Sequence, residues 1–438
     1  MEDEIASKIT AMTNSPVGNI NESELNRFIQ NIETNIGVHL FDEQRDAIIQ
    51  LLKRNFGILQ GPAGTGKTYL MKVLVKAWEA LGGHCILGGS VELACLAGKA
   101  AMQLRRSANR PAYTLAGLLR YLHRRQKRLH EGREVPNHWP SLEPSTLLIV
   151  DEASMVDVGT WHELFDFMPP GCRLLMVGDN GQLPPVGIGQ IYHDLVSLYP
   201  YVVKLTLNHR QKSKTGIPEI ANAIREGYMP SFKNYRGADQ GVQFYECPED
   251  STIKNVAKIK KEILSQVNEG EVLICAALRR TVDTLNESGA MQNHKLKIPL
   301  RAAPGVWIAD GDPVVYTENR YKSELYNGLL GRVVQVNNNE EKSALIHWDG
   351  EDKPREISGE ESSGIDLAYA ITVHKVQGSS APRIIVPLER NRLVTRQWLY
   401  TAVTRAEEQC VFVGNKSLFS ASLKRLTQRN TGFRLKDI

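Results

Sequence analysis

Residues 61–68 read Gly61-Pro62-Ala63-Gly64-Thr65-Gly66-Lys67-Thr68 and match the pattern G-x-x-x-x-G-K-[ST] at every fixed position. Apolar residues 56–60 before this stretch predict a strand, and the spacing of apolar residues in 69–81 after it predicts a helix. In this strand–loop–helix context, glycines let backbone N–H groups surround an anion at a helix N-terminus. The stretch therefore predicts a phosphate-binding loop, in which Lys67 reaches the terminal phosphates and the Thr68 hydroxyl ligates Mg²⁺.

A second feature lies downstream, where apolar residues 147–150 are followed directly by Asp151 and Glu152. Four apolar residues followed by two acids predict a buried strand that ends in carboxylates. Ligands of open parallel sheets bind at the carboxyl ends of the strands. Asp151 is therefore placed to hold Mg²⁺ through water, and Glu152 to orient or deprotonate an attacking water.

The composition of the 438 residues is that of an ordinary globular protein, with 42% hydrophobic and 23% charged residues and a net charge of +4. At about 100–200 residues per domain, this length favours two to four domains. The charge is concentrated: one stretch carries nine basic residues against the single acid Glu131, and these are Arg105, Arg106, Arg110, Arg120, Arg124, Arg125, Lys127, Arg128 and Arg133. Such an excess indicates either a solvated face or a polyanion contact, and both remain open at this point.

Cysteine spacing and hydropathy exclude several classes of protein. None of the six cysteines lies in a C-x-x-C or zinc spacing, so we expect free thiols, a reducing compartment and no structural metal. The chain opens on Met1-Glu2-Asp3-Glu4 and has no long apolar run. We therefore expect a cytoplasmic protein without a secretory signal or a membrane span.

Residues 1–38 are polar at first and then carry apolar residues at helical spacing. This pattern predicts an amphipathic helix that covers the structure behind it; the residues are Leu25, Phe28, Ile29, Ile32 and Ile36. Asp42 next predicts a helix start, with Gln44 in the first turn. A Gln amide can both donate to and accept from an adenine edge, although a Gln near a helix start is more often an ordinary surface residue.

Further strands continue the α/β pattern. Residues 85–89 and 173–177 predict buried strands, and the loop after the second contains Gln182, which could contact a γ-phosphate. Arg210 follows the apolar residues near 205 and could meet phosphate or form a surface salt bridge. Between these strands, residues 130–137 are rich in turn formers and predict an insertion with a hairpin.

The character of the chain changes after about residue 212. Residues 272–277 predict a buried strand, whereas 312–316, 331–336 and 344–348 alternate as antiparallel strands of a small barrel do, with a tight-turn signal at Asn327-Gly328. An α/β pattern then resumes through residues 367–379, a strand at 383–388, a helix at 399–406 and a strand at 410–414. A second α/β domain, interrupted by the small barrel, fits this order.

As an ordered set, these segments resemble the superfamily 1 helicases, in their RecD-like and Dda-like branch, over about residues 38–415. The segments that match in kind and order are GPAGTGKT (61–68), VDEASM (150–155), GDNGQLPPVG (178–187), LTLNHRQ (205–211), VHKVQGS (373–379) and YTAVTRA (400–406). The resemblance implies an α/β fold of two RecA-like P-loop NTPase lobes with parallel sheets, plus a small inserted hairpin and a small inserted β-barrel domain. It places a helical cover at 1–38, the first lobe at 39–212, the second at 213–300 plus 361–438, and the barrel at 301–360. The basic insertion at 121–143 resembles a strand-splitting pin, which favours a nucleic-acid contact for the basic cluster.

The resemblance also implies ATP and Mg²⁺ as cofactors and assigns a role to each matching position. Gln44 resembles an adenine-reading glutamine. The other residues implied in nucleotide binding are Gly61, Pro62, Ala63, Gly64, Thr65, Gly66, Lys67, Thr68 and Gly378. The metal falls to Thr68 and Asp151. The catalytic set is Lys67, Asp151, Glu152, Gln182 as γ-phosphate sensor, and the two arginines Arg210 and Arg405 that reach the nucleotide from the cleft between lobes. Nucleic-acid contacts fall to Lys99, Thr114, Arg124, Arg125, Thr372, His374, Lys375 and Gln377.

Three motif positions depart from the family pattern. The threonine that usually precedes Gly-Arg/Lys-Ala-Ala is Ala97 here, and extra residues separate this motif from its predicted strand. The usual Thr-Ile-His is Thr114-Leu115-Ala116, and the glutamate after Gln-Gly-Ser is Ser380. The first two departures concern single-strand contacts and the third a ribose contact, so none touches the hydrolysis residues.

We therefore expect an ATP-dependent DNA helicase that moves 5′ to 3′ on single strands and couples hydrolysis between its lobes to unwinding. We expect a monomer that binds single-stranded and forked duplex DNA, works with replication or repair proteins, and binds no membrane. Three alternatives stay open. One is an ATP-switched nucleic-acid binding or loading module, another is a phosphate-loop kinase or small-molecule ATPase that needs none of the later motifs, and the third is RNA as the track.

Overall fold

The computed structural model describes residues 1–17, 21–82, 89–206, 215–267, 269–297, 300–320, 323–337, 343–357, 359–427 and 429–435. The chain forms two compact units. The first comprises Met1–Leu96, Ala100–Arg210 and Gln428–Ile438, and the second comprises Ala97–Lys99 and Gln211–Thr427. Each contains one six-stranded parallel sheet, and the second also contains antiparallel sheets. The predicted α/β class is thereby confirmed.

The sheet of the first unit has the order β3-β2-β4-β5-β1-β6, with all strands parallel. Its strands are β1 (Phe56–Gln60), β2 (Val91–Cys95), β3 (Ala112–Thr114), β4 (Leu147–Asp151), β5 (Arg173–Gly178) and β6 (Val202–Lys204). The flanking helices of this half of the chain are α1 (Glu2–Asn14), α2 (Glu22–Ile36), α3 (Asp42–Leu52), α4 (Lys67–Gly82), α5 (Gly98–Ala108), α6 (Leu115–His130), α7 (Val158–Phe167) and α8 (Ile191–Leu198). Every residue of β1 and β5 is buried, as expected for strands covered on both faces.

The second unit has a parallel sheet of order β17-β9-β18-β19-β8-β7. Its strands are β7 (Lys233–Asn234), β8 (Gly241–Glu246), β9 (Val272–Ala276), β17 (Ala370–Thr372), β18 (Ala381–Pro387) and β19 (Ala406–Gly414). Its helices are α9 (Ile217–Glu226), α10 (Thr252–Leu264), α11 (Arg279–Asn293), α12 (Arg396–Val403) and α13 (Lys416–Leu423).

Between β9 and β17 the chain forms two antiparallel sheets. A hairpin pairs β10 (Leu300–Ala303) with β11 (Val306–Ile308). A five-stranded sheet follows in the order β15-β14-β13-β12-β16; its strands are β12 (Pro313–Tyr316), β13 (Leu330–Asn337), β14 (Ser343–Trp348), β15 (Arg355–Ile357) and β16 (Ile365–Leu367). The three strands that alternation predicted here therefore exist, and the hairpin at residues 300–308 is an additional element that was not predicted.

Asp312 joins this inserted sheet to α11 and β17. Its carboxylate is fully buried and accepts hydrogen bonds from Asn293 Nδ2 at 2.6 Å, His294 Nε2 at 2.7 Å, Tyr369 Oη at 2.6 Å and Ala309 N at 2.8 Å. Four donors compensate the cost of burying a carboxylate. We infer that this cluster fixes the orientation of the insertion within the second unit.

Three local predictions differ from the structure. Residues 121–130, expected to begin a hairpin, continue helix α6, and the residues after His130 lie in turns and irregular backbone up to β4. The hairpin was predicted from turn formers, but residues 115–122 supply a buried apolar helical face that extends the helix. The N-terminal segment holds two helices, because α1 precedes the predicted α2.

The expected strand at 85–89 falls almost wholly outside the described residues. The structure instead has β2 at Val91–Cys95, so only Leu96 and Ala97 separate this strand from α5. The extra spacing inferred for this motif is therefore wrong. Within the described part of the chain no helix is long and apolar enough to cross a membrane. The five cysteines whose positions are described are buried and free, whereas Cys85 lies outside the described residues.

Candidate functional site

The phosphate loop connects the end of β1 to the start of α4. Gly64 and Gly66 have φ angles of +88° and +80°, which glycine adopts at little cost because it has no Cβ. The Thr65 hydroxyl donates to Pro62 O at 2.9 Å, and Gly61 N donates to Gly178 O at 3.1 Å. A Cβ added at Gly61 would lie 2.7 Å from Thr65 Oγ1, so a side chain does not fit there. The loop is therefore held in one conformation by its own contacts.

Lys67, the first residue of α4, folds back over this loop. Its Nζ donates to Gly61 O at 2.6 Å and to Pro62 O at 3.1 Å. Thr68 follows it in the first turn and is exposed. A phosphate bound at the helix N-terminus would offer the ammonium group a charged acceptor in place of two neutral carbonyls, and charge-assisted hydrogen bonds are the stronger kind.

Gln44 lies buried in the first turn of α3, next to the phosphate loop. Its Nε2 donates to Thr65 O at 3.2 Å, and its Oε1 accepts from Phe41 N at 3.2 Å. Both ends of the amide therefore contact the backbone. These contacts give Gln44 a structural role in supporting the loop, while its predicted adenine contact stays a prediction.

Asp151 and Glu152 lie at the carboxyl end of β4. Asp151 Oδ1 accepts from Glu152 N at 2.8 Å, and Glu152 has a left-handed φ of +53°. Burial, and next the charge of Glu152, raise the pKa of the Asp151 carboxyl well above its usual range, while the charge of Lys67 lowers it. Two adjacent carboxylates at a buried strand end are stabilised by a bound cation.

No group of three or more His, Cys, Asp or Glu side chains with metal-binding geometry occurs among the residues whose positions are given. A metal held by Asp151 and Thr68 would therefore take its remaining ligands from phosphate oxygens and water. That is the usual manner of Mg²⁺, which binds through one or two carboxylates plus substrate phosphates. The residues present thus fit a magnesium ion that arrives with a nucleotide.

Gln182 lies in the loop between β5 and α8. We call residues 178–190 the sensor loop. The residue is 2% exposed, and its Nε2 lies 3.5 Å from the acceptor Asp179 Oδ2. Its Oε1 is buried and has no hydrogen-bond partner in the described part of the chain. A buried amide oxygen without a donor is costly in a resting protein and is consistent with a group that acquires a partner when a ligand binds.

The second unit carries its own group of buried polar residues, at the turn after β17 and at the end of α12. Arg405 is 6% exposed; its Nη1 donates to Ser379 O at 3.3 Å and its Nη2 to Thr404 Oγ1 at 3.4 Å. Its Nε is buried without an acceptor, and so are both amide atoms of Gln377, among described residues. Gln377 is 4% exposed.

The other predicted residues of this turn have mostly structural contacts. Thr372 Oγ1 accepts from Lys375 N at 3.3 Å, and Lys375 Nζ lies 3.8 Å from Asp366 Oδ2. Burial lowers the pKa of His374, which favours the neutral ring. Gly378 has a φ of +75°, which explains the glycine.

Several predicted nucleic-acid residues have protein partners. Thr114 is the N-cap of α6 and accepts from Gly117 N at 3.1 Å. Lys99 is 7% exposed and pairs with Asp349 at 3.1 Å, both residues being grouped in the second unit. Arg125 pairs with Glu143 at 3.1 Å, whereas Arg124 is exposed. Their nucleic-acid contacts stay predictions, and Arg210 lies outside the described residues.

Sequence reasoning missed several residues that support the sensor loop. Gln60, at the end of β1, accepts through Oε1 from Asn180 N at 3.0 Å and from Tyr192 Oη at 3.1 Å. Burial lowers the pKa of His193 to about 4. A polar residue at the end of an apolar strand was the available signal for Gln60, but its partner lies more than 100 residues away in the sequence.

Comparisons with known proteins agree with this arrangement. Residues 39–243 match the family model described as an AAA domain, and residues 367–413 match that of the UvrD-like helicase C-terminal domain. The chain is 31% identical over 407 residues to the ATP-dependent RecD2 DNA helicase of Deinococcus radiodurans, across 90% of this chain and 52% of that protein. It is 29% identical over 452 residues to the RecBCD enzyme subunit RecD of Mycobacterium tuberculosis, across 90% and 73% respectively. It therefore spans only 52% of the first relative's length.

Solved structures share the fold. The Pif1 helicase from Candida albicans aligns with a TM-score of 0.54 at 20% identity, over 87% of this chain and 96% of that one. Bacteroides Pif1 bound to single-stranded DNA aligns with a TM-score of 0.53 at 19% identity, over 85% and 92%. The sequence matches confirm the resemblance to the RecD-like superfamily 1 helicases, and the solved structures show that the fold is shared.

Proposed function

We propose that this protein is an ATP-dependent DNA helicase that moves along single-stranded DNA and unwinds forked duplexes. The observation that carries the proposal is the distribution of buried polar groups. The chain has a single phosphate loop, in its first unit, yet buried polar atoms without partners among described residues occur at motif positions of both units, among them Gln182 Oε1 in the first and Arg405 Nε with the Gln377 amide in the second. A small-molecule kinase would have no use for the second group, whereas a two-lobed motor requires it.

Each residue has a chemical task in this proposal. Backbone N–H groups of residues 61–66 and the Lys67 ammonium bind the phosphates, and Thr68 and Asp151 hold a magnesium ion that neutralises charge on them. Glu152 orients the attacking water and accepts its proton. Arg210 and Arg405 stabilise the negative charge of the transferred phosphoryl group, and Gln182 responds to the γ-phosphate.

Finer features of the proposal rest on the family alone. We propose 5′-to-3′ movement, coupling of hydrolysis between the lobes to strand movement, and a monomer as the active species. DNA as the track is supported by the names of the relatives, which include a DNA helicase and a structure bound to single-stranded DNA. Replication and repair proteins are the partners we would examine first.

Steady-state ATP hydrolysis with and without single-stranded DNA tests the proposal. We expect DNA to raise kcat, and a Lys67→Ala variant to lose hydrolysis while its DNA binding weakens with added salt as in the wild type. A Lys72→Ala variant on the same helix is the matched control and should keep full activity. Equal rates with and without DNA in the wild type would refute a coupled motor.

A second candidate is a module that binds or loads nucleic acid and uses ATP only as a switch. It is favoured by the contacts of Thr114 and Lys99, whose polar groups are already engaged within the protein. A forked-duplex assay separates the two candidates: the switch binds the fork in an ATP-dependent manner but releases no strand.

A further inference from the structure

The last described residues of the chain return to the first unit. Residues up to Thr427 belong to the second unit, whereas Gln428–Ile438 belong to the first. We call residues 429–435 the C-terminal strap. Its sequence contains no motif that indicates a function, yet its first residue, Arg429, contacts the sensor loop.

Arg429 is the strap's contact with that loop. Its Nη1 donates to Gly189 O at 2.9 Å and also to Gly187 O, and its Nη2 donates to Pro185 O. The guanidinium therefore binds three alternate carbonyls of one loop. Its planar, forked donors suit such a task, whereas a lysine ammonium is a single point of attachment.

Within residues 185–189 of the sensor loop, Pro185 and Gly189 are buried, but the two larger side chains are not. Val186 and Ile188 are each 82% exposed, so these two apolar side chains are not buried against the unit. Ile188 O accepts from Val158 N at 3.0 Å, and this carbonyl is not one of the three that Arg429 binds. The three carbonyls bound by Arg429 thus supply the main polar attachment of residues 185–189.

The strap itself is fixed firmly at its other end. Phe433 is fully buried in the core that contains Ile5, Ile9 and Trp161. Gly432 N donates to Glu2 Oε2 at 2.7 Å, which joins the strap to the start of α1. A strap attached on one side to the core can hold the loop on the other.

We propose that Arg429 is a positioning residue for the sensor loop, which orients Gln182 for its response to the γ-phosphate. This inference rests on the proposed function for its catalytic consequence. The charge of Arg429 adds to burial in lowering the pKa of His193 on α8, which is consistent with a place close to this loop.

Two measurements on the full chain test the inference. Hydrogen exchange without nucleotide reports on the loop directly: Arg429→Ala should speed exchange of the Val158 amide, which donates to Ile188 O, at least about tenfold, the factor that corresponds to 1.4 kcal/mol of lost protection. Kinetics report on function: kcat with DNA should fall about tenfold to a hundredfold, as small misplacements of catalytic groups cause, while KM for ATP changes less than about threefold.

Two further variants keep the result interpretable. Arg434→Ala is the matched control, since Arg434 donates to Phe433 O beside it and should leave exchange and kcat unchanged. Arg429→Lys keeps the charge but not the fork, so it should give intermediate exchange and kcat; it also carries the test if Arg429→Ala does not fold.

The outcomes separate this inference from the proposed function. If DNA does not change the rate of wild-type hydrolysis, the proposed function fails, and exchange of the Val158 amide still decides whether Arg429 holds the loop. If exchange in Arg429→Ala equals that of the wild type, or if kcat falls only in step with the fraction of folded protein, the positioning role is wrong.

Discussion

Replacement of Gln377 by methionine should make the resting protein more stable and the working protein less active. Both amide atoms of Gln377 are buried without a partner among the described residues, and the side chain is 4% exposed. Burial of an unpaired amide costs about 1–3 kcal/mol on the scale of protein mutations. Methionine has a similar unbranched shape with one side-chain heavy atom fewer and no amide, so it removes that cost without a large cavity.

The gain should be visible in thermal unfolding without nucleotide or DNA. A domain of the size of the second unit shifts its midpoint by about 2–4 °C for each kcal/mol, so Gln377→Met should raise Tm by about 2–12 °C. Scanning calorimetry on the intact chain measures this shift. DNA-stimulated hydrolysis should fall in the same variant, because Gln377 is one of the predicted nucleic-acid contacts.

Gln243 is the matched control in the same unit. It is 1% exposed, but its Nε2 donates to Asp239 O at 2.6 Å and its Oε1 accepts from Arg236 N at 2.9 Å. Gln243→Met should therefore lower Tm, because it leaves Arg236 N and Asp239 O without their hydrogen-bond partner. If Gln377→Met lowers Tm as far as Gln243→Met does, the amide of Gln377 has partners in the resting protein and the argument for a ligand-seeking group is refuted.

Three other predictions follow from single contacts. Asp312→Ala should lower the free energy of unfolding in urea by about 3–5 kcal/mol, because it leaves the buried donors around that carboxylate unpaired; an unchanged midpoint would contradict this. Burial lowers the pKa of His193 from 6.5 to about 4. As the pH falls, the imidazole of the unfolded state therefore takes up its proton before that of the folded state does. The free energy of unfolding should then fall as the pH drops from 6.5 towards 4, by up to about 1.4 kcal/mol per pH unit, and His193→Gln should flatten that dependence. Gly61→Ala should weaken binding of a fluorescent ATP analogue and lower Tm, since its Cβ would lie 2.7 Å from Thr65 Oγ1; unchanged binding would mean that the loop accommodates the side chain.

Local sequence patterns were sufficient for the α/β class and for the phosphate loop. The pattern at residues 61–68 sets the order of strand, loop and helix by itself, because glycine, lysine and hydroxyl positions are fixed relative to one another. The alternation of apolar and polar residues in 312–348 predicted the antiparallel strands β12, β13 and β14, because successive side chains of a strand point to opposite faces of the sheet. These features depend on neighbours in the sequence and are readable from it.

Features that depend on distant partners were not predictable in this way. The turn formers of residues 130–137 predicted a hairpin insertion, but the buried apolar face of residues 115–122 supports a helix, α6, that continues to His130. Thr114 matched a motif position, yet its hydroxyl serves as a helix cap. Arg429 carries no motif at all, and its acceptors lie 240 or more residues earlier in the chain. Only the folded chain brings such groups together.

Unwinding of forked DNA tests the central claim most directly. Two substrates of equal duplex length, one with a 5′ and one with a 3′ single-stranded tail, are mixed with the wild-type protein, and strand release is followed with and without ATP and Mg²⁺. We expect release of the 5′-tailed strand only when ATP and Mg²⁺ are present, and none with Lys67→Ala. Binding of both substrates without ATP-dependent release of either strand would contradict the account.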